Sequence, residues 1–313
     1  MPAKIQKIPS LIWTHIRSPR IQHFIQEDTR RSWARVVESQ ATVPEAYKEF
    51  FERHFTGSDD FPYTVLAPSR SQNVYWRTEK LVCNIGSRIY ILERRGDTFD
   101  ERCYPIAGIS YVETRMVLLD SCIKITGVTN KDVSASSTIY FNSVTDYLFT
   151  PILNKIRTLN FDSSLRDLKP EQEKFDHWVR SNYKFMNYAR NSLVGGERVI
   201  HSILQPEIRT EGVKILGRTY YKIISPAHVS ILTDRELIMI REEVRHRGKD
   251  RYGGIWDYIP LNKITDLSLR DANGGLLVLS IQLPEDTRLE FLFQESARKE
   301  VNELLHRFKE LTP

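Results

Sequence analysis

The residues best suited to chemistry in this 313-residue chain are four cations that recur at every second position of one segment. They are Arg245, Arg247, Lys249 and Arg251. They lie in REEVRHRGKDRYGG, residues 241–254. If this segment is extended, alternate side chains project from one face. Four such cations beside Tyr252 and Trp256 would suit a phosphoinositide head group or an anionic bilayer, at about 1 kcal/mol per cation near the membrane.

The same segment has a simpler interpretation as a solvated loop. Glu242, Glu243 and Asp250 partly neutralise its positive charge. Long exposed loops are usually polar, whether or not they bind a ligand. The two interpretations differ in whether the four cations converge on one surface, and the sequence leaves both open.

The sequence contains no arrangement typical of a catalytic or metal site. It has no P-loop and no GxGxxG, and its eight histidines are scattered without an HxxxH or HExxH pair. Asp176 and His177 are adjacent on a predicted helix, so they point in different directions and cannot form a dyad by themselves. We therefore predict a non-enzymatic protein with no metal and no cofactor.

The cysteines and the apolar runs indicate the compartment. Cys83, Cys103 and Cys122 are an odd number with no CxxC pair, which argues against a disulfide-built secreted domain. No uninterrupted apolar run approaches the roughly 18 residues of a membrane span. These features predict a cytoplasmic protein, peripheral at the membrane if the four cations bind lipid.

The overall charge is mildly basic. The chain has 45 Lys and Arg against 40 Asp and Glu, a net charge of +5. This excess permits contact with phosphates but is also common in proteins that bind none. Aromatic residues do not alternate with Lys and Arg on one predicted sheet face, as an RNA-stacking platform requires. We therefore consider nucleic-acid binding unlikely.

The elements that must position these residues form an internal repeat. Residues 47–68 align with residues 185–206 without a gap. Each block has an apolar stripe at helical spacing, a glycine where a helix would end, and a strand closed by Pro68 or Pro206. The segment FPYTVLAP, residues 61–68, is thus the predicted first strand of the first repeat.

A second pair of segments extends the repeat. YPIAGISYVETR, residues 104–115, matches IPLNKITDLSLR, residues 259–270. We predict a helix, about seven strands and a second helix in each repeat. The closing helix of the first should open at Thr150-Pro151 and bury Ile152, Ile156 and Leu159. That of the second should be capped by Ser296.

Four segments follow from this repeat. Residues 1–40 are predicted to be an N-terminal arm ending in a helix around Trp33, Val36 and Val37. Residues 41–160 form the first module with its leading helix, residues 161–198 a linker and a bracing helix, and residues 199–313 the second module. The bracing helix should bury a face made of Phe175, Trp178, Val179, Phe185, Ala189 and Leu193.

The pattern resembles the bacterial pleckstrin-homology-like (PH-like) domain, which is similar in fold to the eukaryotic pleckstrin-homology and GRAM domains. The residues that carry the resemblance are Thr233, Asp234, Arg235, Pro260, Leu261 and Ile264 in the second repeat, and Pro105, Ile106 and Ile109 in the first. The first repeat departs at its turn, where NIGSR stands. The resemblance implies an α+β fold, mainly antiparallel β, with two modules of bent antiparallel sheets that each end in a helix.

The resemblance implies no catalytic residue. Members of this class read membrane lipids, bind proteins or act as scaffolds, and the fold alone does not choose among these roles. We expect a non-enzymatic binding module that docks on anionic membrane lipid or on a protein partner. The alternative is an intracellular scaffold or oligomerising structural protein.

Overall fold

The computed structural model describes residues 30–55, 60–72, 75–158, 167–215, 218–243 and 253–312. Antiparallel β-sheets dominate these residues and a few short helices accompany them, which confirms the predicted α+β class with mainly antiparallel strands. No helix in the described ranges is both long enough and apolar enough to cross a membrane.

Among the described residues of the first half, ten strands and two α-helices have complete bounds. The strands are β1 (Arg35–Val37), β2 (Thr64–Ala67), β3 (Arg70–Gln72), β4 (Tyr75–Arg77), β5 (Lys80–Ile85), β6 (Arg88–Arg95), β7 (Thr98–Pro105), β8 (Ile109–Val117), β9 (Asp120–Val128) and β10 (Ser134–Phe141). The helices are α1 (Lys48–His54) and α2 (Thr150–Arg157). The segment FPYTVLAP contains β2, as predicted.

The described part of the second half forms nine strands and three α-helices. The strands are β11 (Val199–Gln205), β12 (Ile208–Ile215), β13 (Arg218–Ser225), β14 (His228–Thr233), β15 (Glu236–Arg241), β16 (Gly254–Pro260), β17 (Asp266–Ala272), β18 (Leu276–Gln282) and β19 (Arg288–Gln294). The helices are α3 (Lys169–Glu173), α4 (Tyr183–Ser192) and α5 (Arg298–Leu311). From β2 to α2 and from β11 to α5 the elements follow in the same order, with an extra hairpin, β3–β4 or β12–β13, after the first strand.

One sheet joins the two halves of the chain. It has seven strands in the order β10-β9-β8-β16-β15-β14-β11. At its centre β8 pairs antiparallel with β16, from Met116 opposite Gly254 to Val112 opposite Tyr258. A five-stranded sheet, β1-β2-β5-β6-β7, and a three-stranded sheet, β17-β18-β19, complete the two halves. Because the central pairing is continuous backbone hydrogen bonding, the halves share one rigid layer.

Four apolar cores pack against these sheets. In the first half, α2 places Ile152 and Ile156 against the strands. In the second half, α5 closes the space between the sheets with a buried face of Val301, Leu304 and Phe308. A third core lies on the opposite face of β14–β16, where Phe185, Met186 and Ala189 of α4 pack against them. A fourth core, in the first half, packs Phe50 and Phe51 of α1 against the five-stranded sheet.

The predicted helix around Trp33, Val36 and Val37 is wrong. Residues Arg35–Val37 form β1, which pairs with β2 so that Val36 lies opposite Val65. Two consecutive valines fit a pleated edge better than a helix, because β-branched side chains are restricted in helices. Residues 1–29 of the predicted arm lie outside the described residues.

The single bracing helix is also wrong. The segment forms α3, a short 3₁₀ turn at Asp176–Trp178, and α4. The Asn182 side chain accepts a hydrogen bond from the backbone N–H of Phe185 and so caps a new helix at Tyr183. The predicted apolar face is buried except for Val179, which is 49% exposed. Helix α3 also lies inside the predicted polar linker.

The closing helices follow the prediction in part. Helix α2 begins at Thr150 with Pro151 in its first turn, and Ile152 and Ile156 are buried. Leu159 lies outside the described residues. Helix α5 begins at Arg298 with Ala297 at its N-cap and no side-chain cap, so the predicted cap at Ser296 is wrong. A 3₁₀ turn over Glu295–Ala297 precedes the helix.

Candidate functional site

The four cations predicted as a binding site lie outside the described residues. Arg245, Arg247, Lys249 and Arg251 belong to the segment between β15 and β16, so their convergence stays a prediction. The structure describes both ends of that segment. Arg241 at the end of β15 bonds to the carboxylates of Asp257 and Glu113, and Gly254 begins β16.

A partly enclosed cleft lies between the two halves, lined by residues of both. Its volume is about 480 Å³, which lies within the usual range for ligand pockets. Its apolar lining includes Ile106, Ile109, Ile156, Pro260, Leu261 and Leu311. Its charged lining consists of Arg157, Asp234, Arg235, Glu236 and Lys263. An apolar floor with a few fixed polar groups suits a ligand that buries an apolar group.

Two matching turns form the sides of this cleft. Each is a 3₁₀ turn that follows a proline, Ile106–Gly108 after Pro105 and Leu261–Lys263 after Pro260. The two prolines have nearly the same backbone angles, φ −56° and ψ 131° against φ −58° and ψ 135°. The Lys263 ammonium donates a hydrogen bond to the Ala107 carbonyl at 2.5 Å and so ties one turn to the other.

A buried arginine forms one wall of the cleft. Arg157 ends α2, and its side chain is only 5% exposed. It bonds to Glu236 of β15, with Nε 3.0 Å from Oε1, and donates to the Ser192 carbonyl at 2.7 Å. Its guanidinium lies over the Tyr258 ring at 3.9 Å. This one side chain therefore connects the last helix of the first half to three elements of the second.

Two buried carboxylates face this single guanidinium. Glu197 is 1% exposed and lies 3.6 Å from Arg157. Its Oε2 accepts a hydrogen bond from the backbone N–H of Val194 at 2.8 Å. Burial and the neighbouring Glu236 hold the pKa of Glu197 well above its usual range. A protonated Glu197 is neutral, so the positive charge of Arg157 is balanced by Glu236 alone.

The remaining charged groups of the cleft also have structural partners. Arg235 donates to the carbonyls of Gly195 at 3.4 Å and Gly196 at 3.1 Å. Asp234 accepts from the backbone N–H of Arg198 at 2.9 Å. Thr233 accepts from the backbone N–H groups of Arg235 and Glu236, which shapes the predicted Thr233-Asp234-Arg235 turn. These bonds fix the rim of the cleft before any ligand arrives.

A second buried charge cluster lies at the pairing of β8 and β16. Asp257 of β16 is fully buried, lies opposite Glu113 of β8, and bonds to Arg241 of β15. Arg241 also bonds to Glu113 at 2.9 Å. Burial, against the opposing effect of Arg241, raises the pKa of Asp257 to about 7. Its Oδ1 atom has no hydrogen-bond partner among the described residues.

One more arginine extends this cluster along β8. Arg115 bonds to Asp120 at 2.6 Å and to Glu243 at 2.6 Å. Asp120 begins β9, and Glu243 follows β15. Together Arg241 and Arg115 cross-link neighbouring strands by side-chain bonds as well as by the backbone ladder.

Within the described residues, no group of three His, Cys, Asp or Glu side chains could hold a metal ion. The three cysteines are buried, and burial raises the pKa of each thiol, which keeps it protonated and unreactive.

The sequence analysis missed both buried clusters. The sequence pattern of α2 singles out only its apolar residues, so Arg157 was not identified, and no local pattern marks Glu197. Asp257 did carry a signal, since a charged residue inside the apolar strand IWDYIP, residues 255–260, is unusual for a buried strand.

Replacing Arg157 with Met should destabilise the protein strongly. The change leaves Glu197 and Glu236 buried without their cation, and loss of one partner from a buried pair typically costs about 3–5 kcal/mol. Urea unfolding followed by circular dichroism measures this. The control is Arg298→Met, since Arg298 forms exposed pairs with Asp271 and Glu295, and its loss should change the free energy of unfolding far less. Equal losses in both variants would contradict a special role for Arg157.

Replacing Asp257 with Asn should change how stability depends on pH. Between the unfolded pKa of about 3.9 and the folded pKa of about 7, the folded protein holds a proton on Asp257 that the unfolded chain lacks. Rising pH therefore lowers the wild-type free energy of unfolding across this window. An asparagine side chain at this position cannot titrate, so the variant should gain roughly 2–4 kcal/mol relative to wild type from about pH 4 to pH 7. Urea titrations at several pH values test this, and a constant difference would contradict it.

A scan against models of known protein families and a search of curated proteins each found no match to this chain. The residues and geometry described above are therefore the basis for any assignment of function.

Proposed function

We propose that the chain consists of two PH-like modules, spanning β2 to α2 and β11 to α5. The matching order of elements supports this proposal. Each module begins with four strands and one inserted hairpin, and a 3₁₀ turn after a proline follows. Three strands, a second 3₁₀ turn and a helix complete each module. The five-residue loops before the last strand also match. Leu283 bonds to Thr287 across one, as Thr129 bonds to Val133 across the other.

We propose that this protein is a non-enzymatic binding module whose ligand is a segment of a protein partner held in the cleft between the two modules. The observation that carries this proposal is the cleft itself, with an apolar floor and a rim fixed by the Lys263 bond to Ala107 and by the buried Arg157. Pockets at interfaces between domains are preferred binding sites.

The lining favours a peptide that brings one apolar anchor. Ile109, Ile156 and Leu261 offer a floor for such a side chain. The Arg157 guanidinium is already bonded to Glu236 and Ser192, so it does not offer a free charge for an anionic ligand. Binding would thus depend on shape and apolar burial, with the fixed rim providing preorganisation.

Anionic membrane lipid is the second candidate ligand. The alternating cations Arg245, Arg247, Lys249 and Arg251 favour it. The segment that contains them connects two central strands of the seven-stranded sheet. Lipid binding would be electrostatic and thus sensitive to salt, whereas apolar cleft binding would not be.

The cleft proposal is tested with a library of random synthetic peptides immobilised as an array and probed with the full chain. We expect enrichment of peptides with one large apolar residue. Ala107 is exposed on the cleft side, so Ala107→Trp should fill the cleft and weaken binding on the order of tenfold or more while the chain stays folded. The control is Val133→Trp in the β9–β10 loop, where Val133 is 57% exposed. Equal binding by both variants would contradict the proposal.

The lipid proposal is tested by flotation with phosphatidylserine vesicles. We expect binding at low salt that falls as salt rises, and a variant with all four cations changed to Ala should remain unbound. A matched control changes four exposed cations elsewhere, Lys131, Arg180, Lys299 and Lys309. Absence of binding at low salt, or binding unchanged in the variant, would contradict the proposal.

A further inference from the structure

Strand β17 has one paired edge and one open edge. It pairs with β18 on one side, from Asp266 opposite Gln282 to Ala272 opposite Leu276. Within the described residues, its other edge makes no backbone hydrogen bond. The strand at the same place in the first half is β8, and there the same edge is paired with β16. An added strand is therefore sterically compatible with this position of the fold.

The direction of the open backbone groups follows from the neighbouring hairpin. The backbone N–H of Leu283 donates to the Thr287 carbonyl, so the backbone groups of Leu283 point toward β19. Because these groups alternate along an antiparallel strand, those of Ser280 point toward β17 and bond to its partner Ser268. The N–H and C=O groups of Leu267 and Leu269 then point away from β18, toward the open edge.

The residues of this edge are complementary to themselves. Residues 266–270 read Asp-Leu-Ser-Leu-Arg, with a serine at the centre, a leucine on each side, and opposite charges at the two ends. Asp266, Ser268 and Arg270 are exposed, whereas Leu267 is buried and Leu269 is half-buried in the second core. Reversing the strand direction therefore keeps the apolar residues on the core side and exchanges the two charges.

We propose that two copies of this chain form a symmetric dimer by antiparallel pairing of β17 with the partner's β17, centred on Ser268. Leu267 would exchange backbone hydrogen bonds with Leu269 of the partner subunit. Asp266 would lie opposite Arg270 of the partner subunit, and the two-fold axis repeats this pair. The two three-stranded sheets become one six-stranded sheet, and the open edge of each copy is covered.

The charges support this register. Asp266 and Arg270 would face each other at non-hydrogen-bonded positions, where opposing Cα atoms approach to about 4.5 Å and side chains are closest. Opposite charges directly across a strand pair are stabilising, and like charges are destabilising. Arg270 at present contacts Glu290 of β19 at 3.2 Å, an exposed pair that leaves it able to reorient.

The edge of β7 explains why a symmetric contact is favoured over a head-to-tail chain. Strand β7 matches β16, so it would be the natural acceptor for the β17 of another copy. Part of its edge is already bonded, because the backbone N–H of Asn130 donates to the Cys103 carbonyl at 2.9 Å. In the second half the matching loop position is Pro284, which has no N–H, and there the edge of β16 is free to receive β8.

The dimer is tested by exchanging the charges at Asp266 and Arg270 in the full chain. Sedimentation equilibrium over a series of protein concentrations measures the mass of each variant. Wild type should sediment as twice 36.6 kDa. Asp266→Arg or Arg270→Asp alone places like charges opposite each other and should raise the dissociation constant on the order of tenfold or more. The double variant restores opposite charges and should restore the dimer.

Glu290→Gln is the control for the existing contact of Arg270, and it should leave the dimer intact. A monomeric wild type at every concentration would overturn the proposal. A dissociation constant that the single changes leave unaltered would also overturn it. The same holds if the double variant dimerises no more tightly than either single variant. None of these outcomes depends on peptide binding in the cleft, so the two proposals fail independently.

A single cysteine tests the register directly. Ser268→Cys places two cysteines across the two-fold axis at a Cα separation compatible with a disulfide. Mild oxidation should give a covalent dimer on a non-reducing gel, since the three native cysteines are buried. Ser296→Cys, at an exposed site just before α5, should give little covalent dimer under the same conditions. Equal cross-linking at both sites would overturn the register.

Discussion

The antiparallel pairing of β8 with β16 is the contact on which the rest of the structure depends. Each strand would be an edge if its half of the chain stood alone, and an edge carries a row of unpaired backbone groups. Pairing satisfies both rows at once and turns two short sheets into one layer of seven strands. The cleft exists because this layer holds the two 3₁₀ turns beside each other. It also brings the end of α2 against β15, where Arg157 meets Glu236.

In this arrangement the buried charges contribute more to selecting the strand register than to net stability. Buried ion pairs often contribute little net stability, because desolvation opposes their attraction. A shift of one residue between β8 and β16 would move Glu113 and Arg115 to the opposite face, against α4 and its apolar neighbours. The bonds of Arg241 to Asp257 and Glu113 therefore penalise every register except the observed one. Arg157 does the same for the position of α2.

The local elements could be predicted from the sequence and the long-range contacts could not. Alternating apolar residues and closing prolines predicted β2 and β11, and the Thr233-Asp234-Arg235 turn lies where expected, because these features depend on neighbouring residues. The helix around Trp33 failed because β2 offers an edge that Val36 and Val37 can cover. The pairing of β8 with β16 leaves no local pattern, and Arg157 looks like any helix-ending cation until its partners are known.

The central sheet also has a consequence for synthesis of the chain. Met116 and Gly254 lie opposite each other, yet 138 residues separate them in sequence (254 − 116). At about 5–20 residues per second, the edge of β8 waits roughly 7–28 seconds on the ribosome before its partner emerges. During that time the first half presents an unpaired strand to every other nascent chain nearby. The edge of β8 must therefore be protected during translation. A chaperone could cover it, or β8 itself could fold slowly.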